Sequence, residues 1–203
     1  SLMNILAGPV TDRAIGLNFE SVGKNWVAKA GAYGDSISAS ANQLDEGWGI
    51  NSRLIYNPIL EKTKLVHLGV AGNYRTPDGN QNVAKGRALQ LVYETTNMSN
   101  LDPINTTITN VDNIGMLGLE AAGMWGPASI GGEYTQMWVD RNSPFGQRQG
   151  NTDISLNGWN VDAGWTLTGE SRTYKQGNFQ YLKPDKPFSI KNGGWGAVEA
   201  AIR

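Results

Sequence analysis

Asn157-Gly-Trp-Asn-Val-Asp-Ala-Gly-Trp-Thr-Leu167 alternates along its whole length. One side carries Trp159, Val161, Ala163, Trp165 and Leu167; the other carries Asn160, Asp162, Gly164 and Thr166. A period of two puts these sets on opposite faces of a β-strand. The apolar face has tryptophans near its ends. A soluble sandwich turns such a face inward, whereas a transmembrane barrel turns it outward against lipid. Which of the two holds decides what the protein does.

The same pattern recurs upstream. In 112–125, Leu117, Leu119, Ala121 and Trp125 oppose Gly118, Glu120 and Ala122. In 127–141, Ile130, Tyr134 and Trp138 oppose Ser129, Glu133 and Thr135, and in 63–75, Val66, Leu68, Val70 and Tyr74 oppose His67, Gly69, Ala71 and Asn73. Strands are expected near 13–21, 24–33, 47–57, 63–75, 87–95, 112–125, 127–141, 155–168 and 194–203, separated by Gly, Asn, Asp and Pro clusters. Helical periodicity is weak, and its best candidate is the short run from Leu2 to Val10. Ser21-Val22-Gly23 and Gly126-Pro127 read as tight turns, whereas 34–46, 76–86, 96–111, 142–154 and 169–193 are long. Short turns on one side and long loops on the other suit an outer-membrane barrel.

Composition narrows the class. The 203 residues hold 26 glycines, 7 tryptophans, 7 tyrosines and no cysteine, so disulfides and thiolate metal sites are excluded. Mean hydropathy is −0.37, and no apolar run approaches the roughly 20 residues a membrane helix needs. That excludes a helical membrane protein but not a barrel, in which only alternate residues face lipid. The non-lipid faces are small and polar. Charged residues make up only 17% of the chain, fewer than the outer face of a soluble protein usually carries. A balance of 17 basic and 18 acidic residues argues against nucleic-acid binding. Ser1-Leu2-Met3-Asn4 is not a secretory leader, and Trp195–Arg203 reads as a strand that stops midway. The chain is therefore expected to be part of something longer.

Catalytic signatures are missing. The one histidine, His67, has no metal-ligand companions and no G-x-S-x-G nucleophile turn. No phosphate-cradling glycine loop is present. Glu120, Glu133, Asp162 and Glu199 share the polar phase, and cross-strand charge networks are the commoner role for such carboxylates than acid–base chemistry. No enzyme activity, cofactor or metal is expected. The positive charge is more informative. Arg172, Lys175, Lys183, Lys186 and Lys191 lie between Ser171 and Lys191 with Asp185 as the one acid, a strong local bias. Basic groups at a pore mouth concentrate anions. Lys29, Arg53 and Arg203 take the polar phase of their strands, and Arg75 flanks a loop. These nine residues are the candidate anion path.

Several stretches resemble the phosphate-selective porin O and P family. The most specific is Thr166-Leu-Thr-Gly-Glu-Ser-Arg-Thr-Tyr174, followed by Lys183-Pro-Asp-Lys-Pro-Phe188 and Gly193-Gly-Trp-Gly-Ala-Val-Glu-Ala-Ala-Ile-Arg203. Gly47–Arg53 with Pro58, His67-Leu-Gly69, Glu120–Pro127 and Gly132-Glu-Tyr134 support it. The resemblance implies an all-β fold: an antiparallel up-and-down meander belonging to a large transmembrane barrel of about sixteen strands. Residues 1–203 would be one partial barrel domain lacking its N- and C-terminal strands and most of its constriction loop. The implied function is a bacterial outer-membrane diffusion channel in contact with lipid, preferring phosphate or similar small anions and homotrimeric when full length. The alternatives are a less selective porin for small polar solutes and a soluble secreted carbohydrate-binding β-sandwich.

Overall fold

The computed structural model describes residues 15–34, 43–45, 47–77, 79–80, 88–93, 104–141, 153–191 and 193–203. The run Leu2–Val10 lies outside them. Fourteen strands follow in order: β1 (Gly16–Val22), β2 (Trp26–Tyr33), β3 (Gln43–Asp45), β4 (Trp48–Leu60), β5 (Lys64–Thr76), β6 (Gly79–Asn80), β7 (Ala88–Tyr93), β8 (Ile104–Thr109), β9 (Val111–Trp125), β10 (Ala128–Arg141), β11 (Ile154–Thr166), β12 (Tyr174–Lys175), β13 (Asn178–Phe179) and β14 (Glu199–Ile202). No helix occurs among the described residues.

Eight strands form one antiparallel sheet, ordered β1-β2-β4-β5-β9-β10-β11-β14. Sequence order is spatial order throughout, as in an up-and-down meander. The long strands run 13 to 15 residues, beyond the 9–11 a tilted strand needs to cross a bilayer. Among the expected strands, 87–95 differs. Its core, β7, pairs only with β8 in a separate hairpin, and β5 pairs directly with β9. That run belongs to the connection between β5 and β9, not to the wall.

The register fixes the faces. Tyr134 sits opposite both Leu119 and Trp159, and Ile130 opposite Gly123 and Ala163. Leu119, Trp125, Ile130, Trp138, Trp159, Val161 and Trp165 all lie exposed on this face. The opposite face carries Arg53, His67, Glu120, Glu133, Asn160, Asp162 and Glu199, which line a common concavity. A sandwich would have buried the first set. The greasy face is the outer one.

The inner face is not uniformly polar. Ile114 and Met116 of β9 and Met137 and Val139 of β10 are buried there, with Ile108 of β8 and Val111 packed onto them. Ile154 and Leu156 of β11 complete the cluster. This apolar end of the wall is the end from which the β5–β9 connection leaves. The polar groups gather toward the other end, beyond Gly118 and Thr135.

Placing a charge on the outer face is expected to destabilise the barrel. Val161→Lys should cost about 2–4 kcal/mol near the bilayer midplane, measured as the shift in denaturant unfolding of the full-length protein in lipid vesicles. Asn160→Lys, one residue away on the inner face, should fold with near-parent stability.

Candidate functional site

The tight connections at 23–25, 61–63 and 126–127 all lie at one end of the sheet, and the strand ends at Tyr33 and Trp48, Thr76 and Val111, and Arg141 and Ile154 lie at the other. The segment 167–198 joins the end of β11 to the start of β14, which places its exit among the tight turns. This corrects the sequence expectation, which grouped 169–193 with the long loops of the opposite end. In outer-membrane barrels the short turns face the periplasm. A long connection there has somewhere to go other than solvent, and here it folds back over the inner wall.

Three residues of the Thr166–Tyr174 stretch hold it there. Glu170 accepts hydrogen bonds from the Thr168 hydroxyl and, at 3.3 Å, from the Asp185 backbone N–H. Arg172 donates through Nε and Nη2 to the Glu199 carboxylate of β14, with Nη2 2.5 Å from Oε2. Tyr174 reaches β4 and β5: its hydroxyl lies 3.1 Å from Asn57 Nδ2 and 2.5 Å from His67 Nδ1. The glutamate, arginine and tyrosine are spaced by two; Glu170 bonds within the segment, while Arg172 and Tyr174 both reach the wall. The three family-like stretches thus meet in space: the first supplies Glu170 and Arg172, the second Asp185, the third Glu199.

The segment acts as a strap. From β14 to β5 there are four strand spacings, roughly 19 Å of wall at about 4.8 Å each. The chain from Arg172 to Tyr174 bridges this as a chord, with long side chains at both ends. The hairpin of β12 and β13 forms its tip. Beneath it lies a cavity of roughly 550 Å³, lined by the wall and by Gly177, Asn178 and Phe179.

The wall cations are matched by carboxylates. Arg53 on β4 donates from Nε and Nη2 to both oxygens of Glu120 on β9, at 2.7 and 2.8 Å. The pair spans β5, and Gly69 of β5 is what makes room: a Cβ there would stand 2.3 Å from Glu120 Oε1. His67 Nε2 lies 3.6 Å from the other oxygen of Glu120. Lys29, directly opposite Arg53 in the register, is paired with Glu20 at 3.2 Å. Asn160 donates to Glu133 at 3.2 Å. Arg75 lies over the Tyr33 ring at 5.9 Å. Lys175, Lys183, Lys186, Lys191 and Arg203 are exposed and have no carboxylate partner among the described residues.

The nine candidates therefore fall into different places, with Arg75 at the end of β5 over the Tyr33 ring. Lys29, Arg53 and Arg203 are on the inner wall, as their phase predicted. Arg172 is on the strap but bound to Glu199. Lys175, Lys183, Lys186 and Lys191 are on the strap and open. Sequence reasoning treated His67 as a polar wall residue and gave Asn57 and Tyr174 no role, although all three join the strap to the wall. Their signal was the polar spacing of two at Glu170, Arg172 and Tyr174.

A wall of long antiparallel strands with an apolar outside, a charged inside and a segment folded into its concavity has the architecture of part of a transmembrane β-barrel, although its eight strands form an open sheet. The family model for phosphate-selective porin O and P matches residues 6–203. The chain belongs to that family, whose members are non-enzymatic outer-membrane porins of Gram-negative bacteria, and this wall accordingly lies in the outer membrane. It is also similar to an uncharacterised protein of Caulobacter vibrioides, 30% identical over 203 aligned residues that cover 95% of this chain. The chain spans 38% of that relative's length.

Thr168 and the neighbouring backbone amides hold the Glu170 carboxyl below its usual value of 4.5, against a smaller opposing effect of burial. A depressed carboxylate contributes stability above its unfolded value, and that contribution is lost as pH falls through the folded value. The fold of the turn around Asp185 should therefore hold at neutral pH and loosen only on acidification below 4.5. Hydrogen exchange at the Asp185 amide, corrected for its intrinsic rate, should report this. Glu170→Gln should remove the acid-dependent step.

Proposed function

We propose that the full-length protein is a water-filled outer-membrane channel that prefers small anions such as phosphate, and that the strap lysines carry the preference. The supporting observation is the distribution of compensated charge. Lys29, Arg53 and Arg172 each have a carboxylate on them, so they add little net field. Lys175, Lys183, Lys186 and Lys191 project from the strap at the periplasmic end without such partners, and Arg203 adds to them on the wall. Together with Arg75 these nine residues remain the proposed path, but in unequal roles. No bond is made or broken. The fixed charges lower the barrier for one ion sign over the other. Assembly as a homotrimer when full length belongs to the same proposal.

A second reading, a less selective porin for small polar solutes, draws support from the same pairing. On the inner wall Glu120 neutralises Arg53, and Glu133 and Asp162 add negative charge to the cavity. The two readings separate by reversal potential across a salt gradient: a strong anion preference supports the first and a value near zero the second.

The lysines act through a screened field with a reach of about 8–10 Å at physiological salt. Replacing Lys175, Lys183, Lys186 and Lys191 by glutamine in the full-length channel should lower anion conductance in dilute electrolyte. Near 1 M salt, where the Debye length is about 3 Å, conductance should be almost unchanged. An equal drop at both salt levels would show a steric effect. Arg53→Ala should also reduce anion preference, because it uncovers the Glu120 carboxylate in the lumen.

A further inference from the structure

Three wall residues are buried although their strand phase turns them into the barrel. Ile55 is 0% exposed, Asn57 2% and His67 4%. A face open to water would leave them wet. The strap tip covers them. Gly177 takes φ +83°, and its backbone comes so near Ile55 that a Cβ would lie 2.3 Å from the Ile55 Cδ1. Phe179 meets the Tyr174 ring edge-on at 5.3 Å, and Tyr174 meets the His67 ring edge-on at 5.7 Å.

The polar part of this contact is one hydroxyl. Tyr174 accepts from Asn57 Nδ2 and lies against His67 Nδ1. The Nε2-protonated tautomer lets Nδ1 accept a hydrogen bond from the Tyr174 hydroxyl, with Nε2 facing the Glu120 carboxylate that Arg53 holds. Asn57 also donates to the Val66 backbone carbonyl at 3.3 Å. The wall half is thus braced from β4, β5 and β9. The strap half is held from β14 by Arg172 and Glu199 and is bounded by two glycines. Gly169 at φ +97° and Gly193 at φ +66° lie on either side of the strap, and neither has an atom within 4 Å of where a Cβ would be. They are natural joints.

We propose that Tyr174 is the positioning residue of the channel: its hydroxyl, shared by Asn57 and His67, ties the strap tip to the β4–β5 wall and so sets the open cross-section at the periplasmic end. The cross-section part rests on the channel reading above. Arg172 and Glu199 anchor the other end with three charge-assisted bonds. Loss of the tyrosine contact would leave the strap attached at β14 and free at β4. Lys175, next in the chain on β12, would move with the released strap tip.

The test uses the full-length protein carrying this chain, with Ile55→Cys as its sole cysteine; residues 1–203 contain none of their own. A membrane-impermeant methanethiosulfonate should label Cys-substituted position 55 slowly while Tyr174 is present. Tyr174→Phe should speed labelling roughly tenfold, the scale of one lost hydrogen bond. Single-channel conductance in planar bilayers should rise, with added current noise. His67→Ala should do the same from the wall side, and it carries the test if Tyr174→Phe does not assemble. His67→Gln, which retains an acceptor, should behave like the parent. Unchanged labelling in both Tyr174→Phe and His67→Ala would overturn the proposal. Faster labelling without a change in conductance would overturn the claim that the contact sets the cross-section. Faster labelling in a protein that conducts no ions at all would uphold the tie and sink the channel reading instead.

Discussion

A backbone that crosses a bilayer has no water to bond to, so every N–H and C=O must be paired sideways with another strand. The rest of this structure depends on that constraint. It forces long antiparallel strands, and their period of two then assigns each residue to lipid or to lumen. Gly118, Glu120 and Ala122 of β9 face in because Leu119, Ala121 and Trp125 must face out. It also explains why the two ends differ. Neighbours joined by a tight turn, such as β9 and β10 across Gly126, leave nothing to fold elsewhere. The 167–198 connection does have length to spare, and the inner wall offers it partners that lipid would not.

The inner wall solves a second problem. Charges facing the lumen are half-shielded from water, and like charges in register repel. Lys29 and Arg53 are directly opposite, yet each has its own acid: Glu20 on one side and Glu120 on the other. Glu133 and Glu120 are likewise opposite, and here Arg53 takes Glu120 while Asn160 donates to Glu133. Like charges thus sit side by side in the register, and each cation is neutralised by an acid on its far side. The consequence is that a count of lumen cations overstates the field that an ion meets. Where a cation sits matters less than whether an acid sits on it.

Most of the wall was legible from the residues alone, for a physical reason: lipid acts on every second residue, so the outer face repeats often enough to be seen. The phases of 112–125, 127–141 and 155–168 are those observed. The connections were harder. Residues 87–95 have a strand's composition, but only the pairing of β5 with β9 shows that they stand outside the wall. The apolar inner patch of Ile114, Met116, Met137 and Val139 was hidden for a related reason. An apolar residue on the inner phase looks like lipid contact until one knows that Ile108 and Val111 pack against it. The strap was misplaced because loop length carries no direction. Counting strands from Gly126 through β10 and β11 would have put 167–198 at the tight-turn end.

The stretches that carried the family resemblance turn out to be mechanical parts of one assembly. Glu170 receives the Asp185 amide, Arg172 grips Glu199, and Tyr174 crosses to Asn57 and His67. None of these contacts is local in sequence, and those of Arg172 and Tyr174 can form only when the wall is already in register. The strap is therefore a reader of the wall's completion. If β4, β5 and β14 were one residue out of register, His67, Asn57 and Glu199 would face lipid, and the strap would have nothing to hold. A segment built this way couples the shape of the concavity to correct pairing of strands from β14 at the edge to β4 and β5 in the interior of the sheet, which a loop merely filling space would not do.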